Sequence, residues 1–155
     1  MHQQHLLYLI LTAAFFVGCG PTKSSIQKAE KAERQKPVVI TFDDIKLDIK
    51  EDMVFEDSML TDRARELDGK FVRVRGFICA ETTFQQTDIK QFILIRDYSC
   101  KFGPGGQFHH NMMVELEPDD AIDFTTRPVT VEGKLTLDPK EGPNGKTWSI
   151  YRLKG

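Results

Sequence analysis

Gly69-Lys70-Phe71-Val72-Arg73-Val74-Arg75-Gly76-Phe77-Ile78-Cys79 is the stretch that decides the fold class. Val72, Val74, Gly76 and Ile78 alternate against Phe71, Arg73, Arg75 and Phe77, the period of two that a half-buried strand shows. The same opening returns in looser form at Arg127-Pro128-Val129-Thr130-Val131-Glu132-Gly133-Lys134. A mid-strand glycine weakens the pleat and admits a bulge, so both strands are expected to bend there. Outward from this pair, Ile89–Arg96, Met112–Leu116 and Thr147–Leu153 read as strands, and Val129 to Leu137 carries the cleanest alternation of all. No long helical period separates them. Five short strands with two sharp bends suit a small Greek-key barrel. The expected fold is therefore mainly β, a five-stranded OB-like Greek-key barrel, with 119–126 joining its third and fourth strands. An open β-sandwich of the same strands is the alternative. One short helix is expected before the barrel, over Ser58–Leu67, with Ser58 or Thr61 as its cap and Asp68-Gly69 as its stop. Val38 to Phe42 reads as a strand or apolar anchor, and Ile45, Leu47 and Ile49 alternate as an edge strand would.

The amino terminus carries a different signal. Leu6 to Val17 is mainly apolar but too short to span a hydrocarbon core of ~30 Å as a helix. It is followed by Gly18 and Cys19, the pattern of a secretory leader with a small-residue cleavage site. Cys19 directly after Gly18 resembles the lipobox of bacterial lipoproteins. That resemblance implies a signal peptide over 1–18, cleavage before Cys19 and acylation of its thiol, so that the lipid on Cys19 fixes the protein to a membrane. Gly20 in place of an Asp after the cysteine matches the pattern sorted to the outer membrane, with the domain facing the periplasm. Residues 19–37 are polar and charge-rich, cannot bury enough apolar surface to offset their ordering entropy, and read as a flexible tether. The folded domain is expected over 38–155. With 21 basic and 23 acidic residues the chain is close to neutral, which argues against nucleic acid as a partner.

Candidate chemistry gathers in one place. Cys100-Lys101-Phe102-Gly103-Pro104-Gly105-Gly106 lies between two strands and is followed by His109 and His110. Thiolate and imidazole suit zinc or copper, with Cys79 as the remaining soft candidate, although Cys-x8-His matches no dense ligand motif. The same loop can hold a thiol activated by an imidazole. The bland reading makes Cys100 a small buried residue and the two histidines loop surface. Phe102, Gly103, Pro104, Gly105 and Gly106 are expected to form a tight ordered turn, with Phe102 plugging one end of the barrel. A Cys79–Cys100 disulfide is disfavoured, because pairing of the first two strands places the cysteines near opposite ends of the second. Arg73, Arg75 and Arg96 with Phe71 and Phe77 form a candidate binding face, weighed against a solvated face of snorkelling arginines. No triad, phosphate loop or carboxylate pair stands out to make an enzyme of the chain.

Leu67-Asp68-Gly69-Lys70, Val72 to Phe77, Phe92 to Arg96, Cys100 to Pro104 and Tyr151 to Lys154 together resemble a family of small bacterial exported or lipid-anchored proteins with an OB-like domain of unknown function. The resemblance covers most of 42–155 and implies a fold and an address, but no reaction. The expected function is that of a membrane-anchored lipoprotein whose OB-like module binds an envelope protein or a small ligand. The alternative is a metal-binding (zinc or copper) or thiol-dependent protein using the Cys100–His110 loop.

Overall fold

The computed structural model describes residues 36–47, 49 and 54–155. The leader, Cys19 and the tether as far as residue 35 lie outside the described residues. Within them the protein is mainly β, with strands β1 (Val38–Ile40), β2 (Phe71–Ile78), β3 (Gln91–Ile95), β4 (Asn111–Glu115), β5 (Val129–Glu141) and β6 (Thr147–Lys154) and one short helix, α1 (Asp62–Leu67).

The five strands β2 to β6 close on one another. β2 pairs antiparallel with β3, β3 antiparallel with β4, β4 parallel with β6, and β6 antiparallel with β5. β5 then returns to β2, from Phe71↔Lys134 to Gly76↔Val129. That cycle, with its one parallel step between the third and last strands, is the OB-like Greek-key order. β1 is a sixth strand, parallel to β2 from Val38↔Val72 to Ile40↔Val74. It covers the part of the β2 edge that β3 leaves open, because β3 meets β2 only at Phe77 and Ile78.

The two mid-strand glycines act through close approach. A Cβ on Gly76 would lie 2.6 Å from the Ile95 carbonyl oxygen, and one on Gly133 would lie 2.3 Å from that of Lys154. Gly76 is also where β2 changes partners, from β1 and β5 to β3. A backbone without a side chain lets the neighbouring strand lean in, and the ring closes.

The helix is shorter than the expected Ser58–Leu67, because Asp57–Met59 forms a separate 3₁₀ turn and the chain is extended at Leu60; α1 starts at the later of the two candidate caps, where the Thr61 hydroxyl accepts from the Ala64 amide at 3.1 Å. It buries Ala64 and Leu67 and stops at Gly69, whose φ of +74° favours glycine. The expected edge strand through Ile45 is instead a 3₁₀ turn, Phe42–Ile45. Thr41 and Asp44 cap it reciprocally, the Asp44 carboxylate accepting from the Thr41 amide at 2.8 Å. The turn drops Phe42 and Ile45 into the core, where the Tyr151 hydroxyl donates to the Ile45 carbonyl at 2.9 Å.

Val131 faces the ring interior opposite Val74 and is 6% exposed. Val131→Asp buries a carboxylate without a partner and should cost roughly 3–5 kcal/mol. Gly133→Val drives a side chain into the Lys154 carbonyl and should cost at least about 2 kcal/mol. Urea denaturation followed by circular dichroism checks both, and parent-like midpoints would overturn the register.

Candidate functional site

Alternation along β3 and β4 sorts their side chains into two separate clusters. Phe92, Leu94, Met112 and Val114 join the main core, whereas Cys79, Ile93 and Ile95 form a second cluster on the outer face. Phe77, Cys100, Phe102 and Met113 pack against that second cluster. The outer face is therefore apolar too, and the loop after β3 folds back to cover part of it.

That loop is an ordered chain of turns. The Cys100 amide donates to the Asp97 carbonyl and the Gly106 amide to the Gly103 carbonyl, each at 3.0 Å. Gly103 and Gly105 adopt φ of +89° and +77°, as the glycine-rich sequence suggests. Phe102 does not plug an end of the ring. It stands on the outer face, edge-on to Trp148 with ring centroids 5.5 Å apart. The aromatic that enters the core from this loop is Phe108, 1% exposed and edge-on to Phe55.

The polar candidates meet at the start of β4. Arg96 lies between Asp97 and His110: its Nε is 2.8 Å from the Asp97 carboxylate, and a terminal nitrogen is 2.9 Å from His110 Nε2. A guanidinium only donates, so His110 Nε2 accepts and its proton sits on Nδ1. Burial and the Arg96 charge both push the His110 pKa down. Asp97 is held well below the usual carboxylate range by the Ser99 hydroxyl and amide and by Arg96. Burial, with the neighbouring Asp97 carboxylate, pushes the Cys100 thiol up. Such a thiol is a poor nucleophile at neutral pH.

His109 is not loop surface. It is 1% exposed, stacked edge-on to His110 at 4.4 Å, and neither ring nitrogen has a hydrogen-bond partner among the described residues. Burial drives its pKa down to about 4, with His110, Lys46 and Arg96 adding repulsion. Asn111 is equally buried, and its side-chain amide donates to the Trp148 carbonyl at 3.0 Å while its own oxygen has no partner among the described residues. Among the described residues no three His, Cys, Asp or Glu side chains converge as a metal-ligand set. Cys79 and Cys100 are both free thiols on the outer face.

The arginine face does not assemble as one surface. Phe71, Arg73, Arg75 and Phe77 share one side of β2, but Arg73 is committed to Glu132 at 2.6 Å and Arg96 turns away to His110. Phe77 packs against Tyr98, whose hydroxyl donates to the Thr126 carbonyl.

What the sequence reading passed over is the β2–β3 connection. With β3 and β4 it encloses an outer-face trough of about 600 Å³ whose apolar lining includes Phe84, Ile93, Phe102 and Met113. Phe84 is fully exposed. Its loop is nonetheless held on the side that leads into β3. The Gln85 side chain donates to the Asp88 carbonyl at 2.8 Å, and the Phe124 amide donates to the Gln86 carbonyl at 2.8 Å. Asp88 holds φ of +54°, and Ile89 bridges to Ile122.

The buried neutral His109 makes stability depend on pH. Its folded pKa of about 4 lies below the ordinary 6.5. Between those values the unfolded chain takes up a proton that the folded chain refuses, so stability falls as pH falls, by ~1.4 kcal/mol per unit. His109→Leu should be neutral or stabilising at pH 7, because it removes an unpaired buried polar group. It should also flatten the slope of unfolding free energy from pH 6.5 to 4.5. An unchanged slope in urea titrations would show that the imidazole is partnered.

No protein-family model matches this sequence, and no curated protein matches it at a significant level. Among solved structures it is similar to the crystal structure of a DUF3299 family protein from Pseudomonas aeruginosa PAO1. The TM-score is 0.53 at 16% identity, over 77% of this chain and 93% of that one. The likeness is one of fold.

Proposed function

We propose that this protein is a lipid-anchored binding module of the bacterial cell envelope, with the outer face of β3 and β4 as its working face. The observation that carries the binding reading is the trough walled by the fully exposed Phe84. In OB folds the second and third strands and the first interstrand loop are the usual ligand platform. Here those parts are β3, β4 and the β2–β3 connection, an argument by analogy of fold. Attachment through a lipid on Cys19, at the outer membrane with the domain in the periplasm, rests on the Leu6–Cys19 sequence pattern. The ligand class is an apolar surface on an envelope protein or small molecule, since the trough presents few charges.

A second reading, metal or thiol chemistry at Cys100, His109 and His110, draws on the unpaired His109 ring. Against it stand the raised thiol pKa and the absence of a converging ligand set among the described residues.

Two measurements test the proposal. Cys19→Ala should abolish labelling by a radioactive fatty acid, and undiminished labelling overturns the anchor. An environment-sensitive apolar dye should brighten on the parent, and Phe84→Ser with Met113→Glu should cut that signal severalfold. No dye binding by the folded parent would overturn the working face.

A further inference from the structure

The loop that carries Cys100, Phe102 and Phe108 is fastened at its neck by the two residues that flank it. The Arg96 amide donates to the His110 carbonyl at 3.0 Å, and the Arg96 guanidinium donates to His110 Nε2 at 2.9 Å. A guanidinium accepts nothing, so the side-chain half of this clasp exists only while Nε2 is unprotonated. Histidine is the side chain whose ordinary pKa lets mild acid change that state. Burial counts against an imidazolium at this position, and the Arg96 charge adds to it. His109 stands edge-on at 4.4 Å, and Lys46 brings a further positive charge from the end of the Phe42–Ile45 turn. The facing anions are Asp97 and Asp43. Asp97 already accepts from Arg96 and from the Ser99 amide and hydroxyl, and Asp43 is exposed. The clasped loop therefore refuses a proton that a released loop accepts, and by linkage acid favours release.

What the clasp holds down is the cover of the outer face. Cys100 and Phe102 pack against the cluster of Cys79, Ile93 and Ile95, and Phe102 also lines the trough. Phe108, rooted in the core, anchors the far end of the loop. We propose that the segment between Arg96 and Phe108 is an acid-released lid: protonation of His110 opens its neck, exposes Cys100 and withdraws the Phe102 wall of the trough while the ring stays closed. The consequence for ligand binding rests on the reading of this face as the working face, whereas the opening itself does not.

The test is labelling of the full-length chain with a dipyridyl disulfide, which reacts with thiols in mild acid, between about pH 8 and pH 5, where histidine changes charge. Rates are taken relative to glutathione at each pH, and peptide mapping identifies the labelled cysteine. The relative rate at Cys100 should rise severalfold as the pH falls, with far-ultraviolet circular dichroism unchanged. His110→Gln, whose amide oxygen accepts from Arg96 at every pH, should keep the rate low and flat, although His109 is still present in it. Arg96→Met removes the donor and should label quickly even at the upper end of the range. A flat rate in the parent overturns the lid. So does a rise that appears only together with loss of the β signal, or one that His110→Gln leaves in place. The labelling needs no ligand, so a lid that opens on a trough that binds no dye separates failure of the working face from failure of the clasp.

Discussion

The whole architecture depends on two places where backbone meets backbone with no room for a Cβ. At Gly76 the Ile95 carbonyl closes on β2, and at Gly133 the Lys154 carbonyl closes on β5. Without the first approach β2 could not pass from β1 and β5 to β3. Without the second, β6 could not lie along β5 and reach β4 at Met113 to Glu115. Closure then removes most unpaired strand edges, which otherwise invite association through exposed amides and carbonyls. β1 covers the edge that remains beside β2, and the ring can present a face instead of an edge.

Closure also explains why both sides of β3 and β4 are apolar. The inner side belongs to the common core. The outer side is shared between the Cys100–Phe108 loop, which covers Ile95, and the open trough over Ile93 and Met113. The polar residues near the loop serve mainly to hold its base: Arg96 bonds Asp97 and His110, and Asp97 accepts from Ser99. His109 is the exception, buried with neither nitrogen satisfied among the described residues. That arrangement lowers stability under acid and gives no stabilisation in return.

Much of the ring was legible in the sequence because strands announce themselves by a period of two, and because Gly76 and Gly133 each interrupt such a period. α1 was legible from its Thr61 cap and its Gly69 stop. The turn at Phe42–Ile45 was not, since Ile45, Leu47 and Ile49 alternate by spacing alone while Thr41 and Asp44 cap a turn. The loop aromatics were also ambiguous. Phe102 and Phe108 are equally apolar, and only closure of the ring decides which one enters the core. Phe84 gave no signal, because a lone apolar residue among Thr and Gln is ordinary surface. Its significance comes from Ile93 and Met113, which lie nearby only after β3 and β4 pair.

The indole of Trp148, the one tryptophan in the chain, lies against Gly103 on one side and Gly142 on the other, with its Nε1 donating to Asn144. It thus joins the β5–β6 hairpin tip to the loop that carries Phe102, away from the main core. The protein's ultraviolet emission is for that reason an optical gauge of the loop's seating on the outer face. Quenching or a spectral shift would register that local lift even while the ring stays shut.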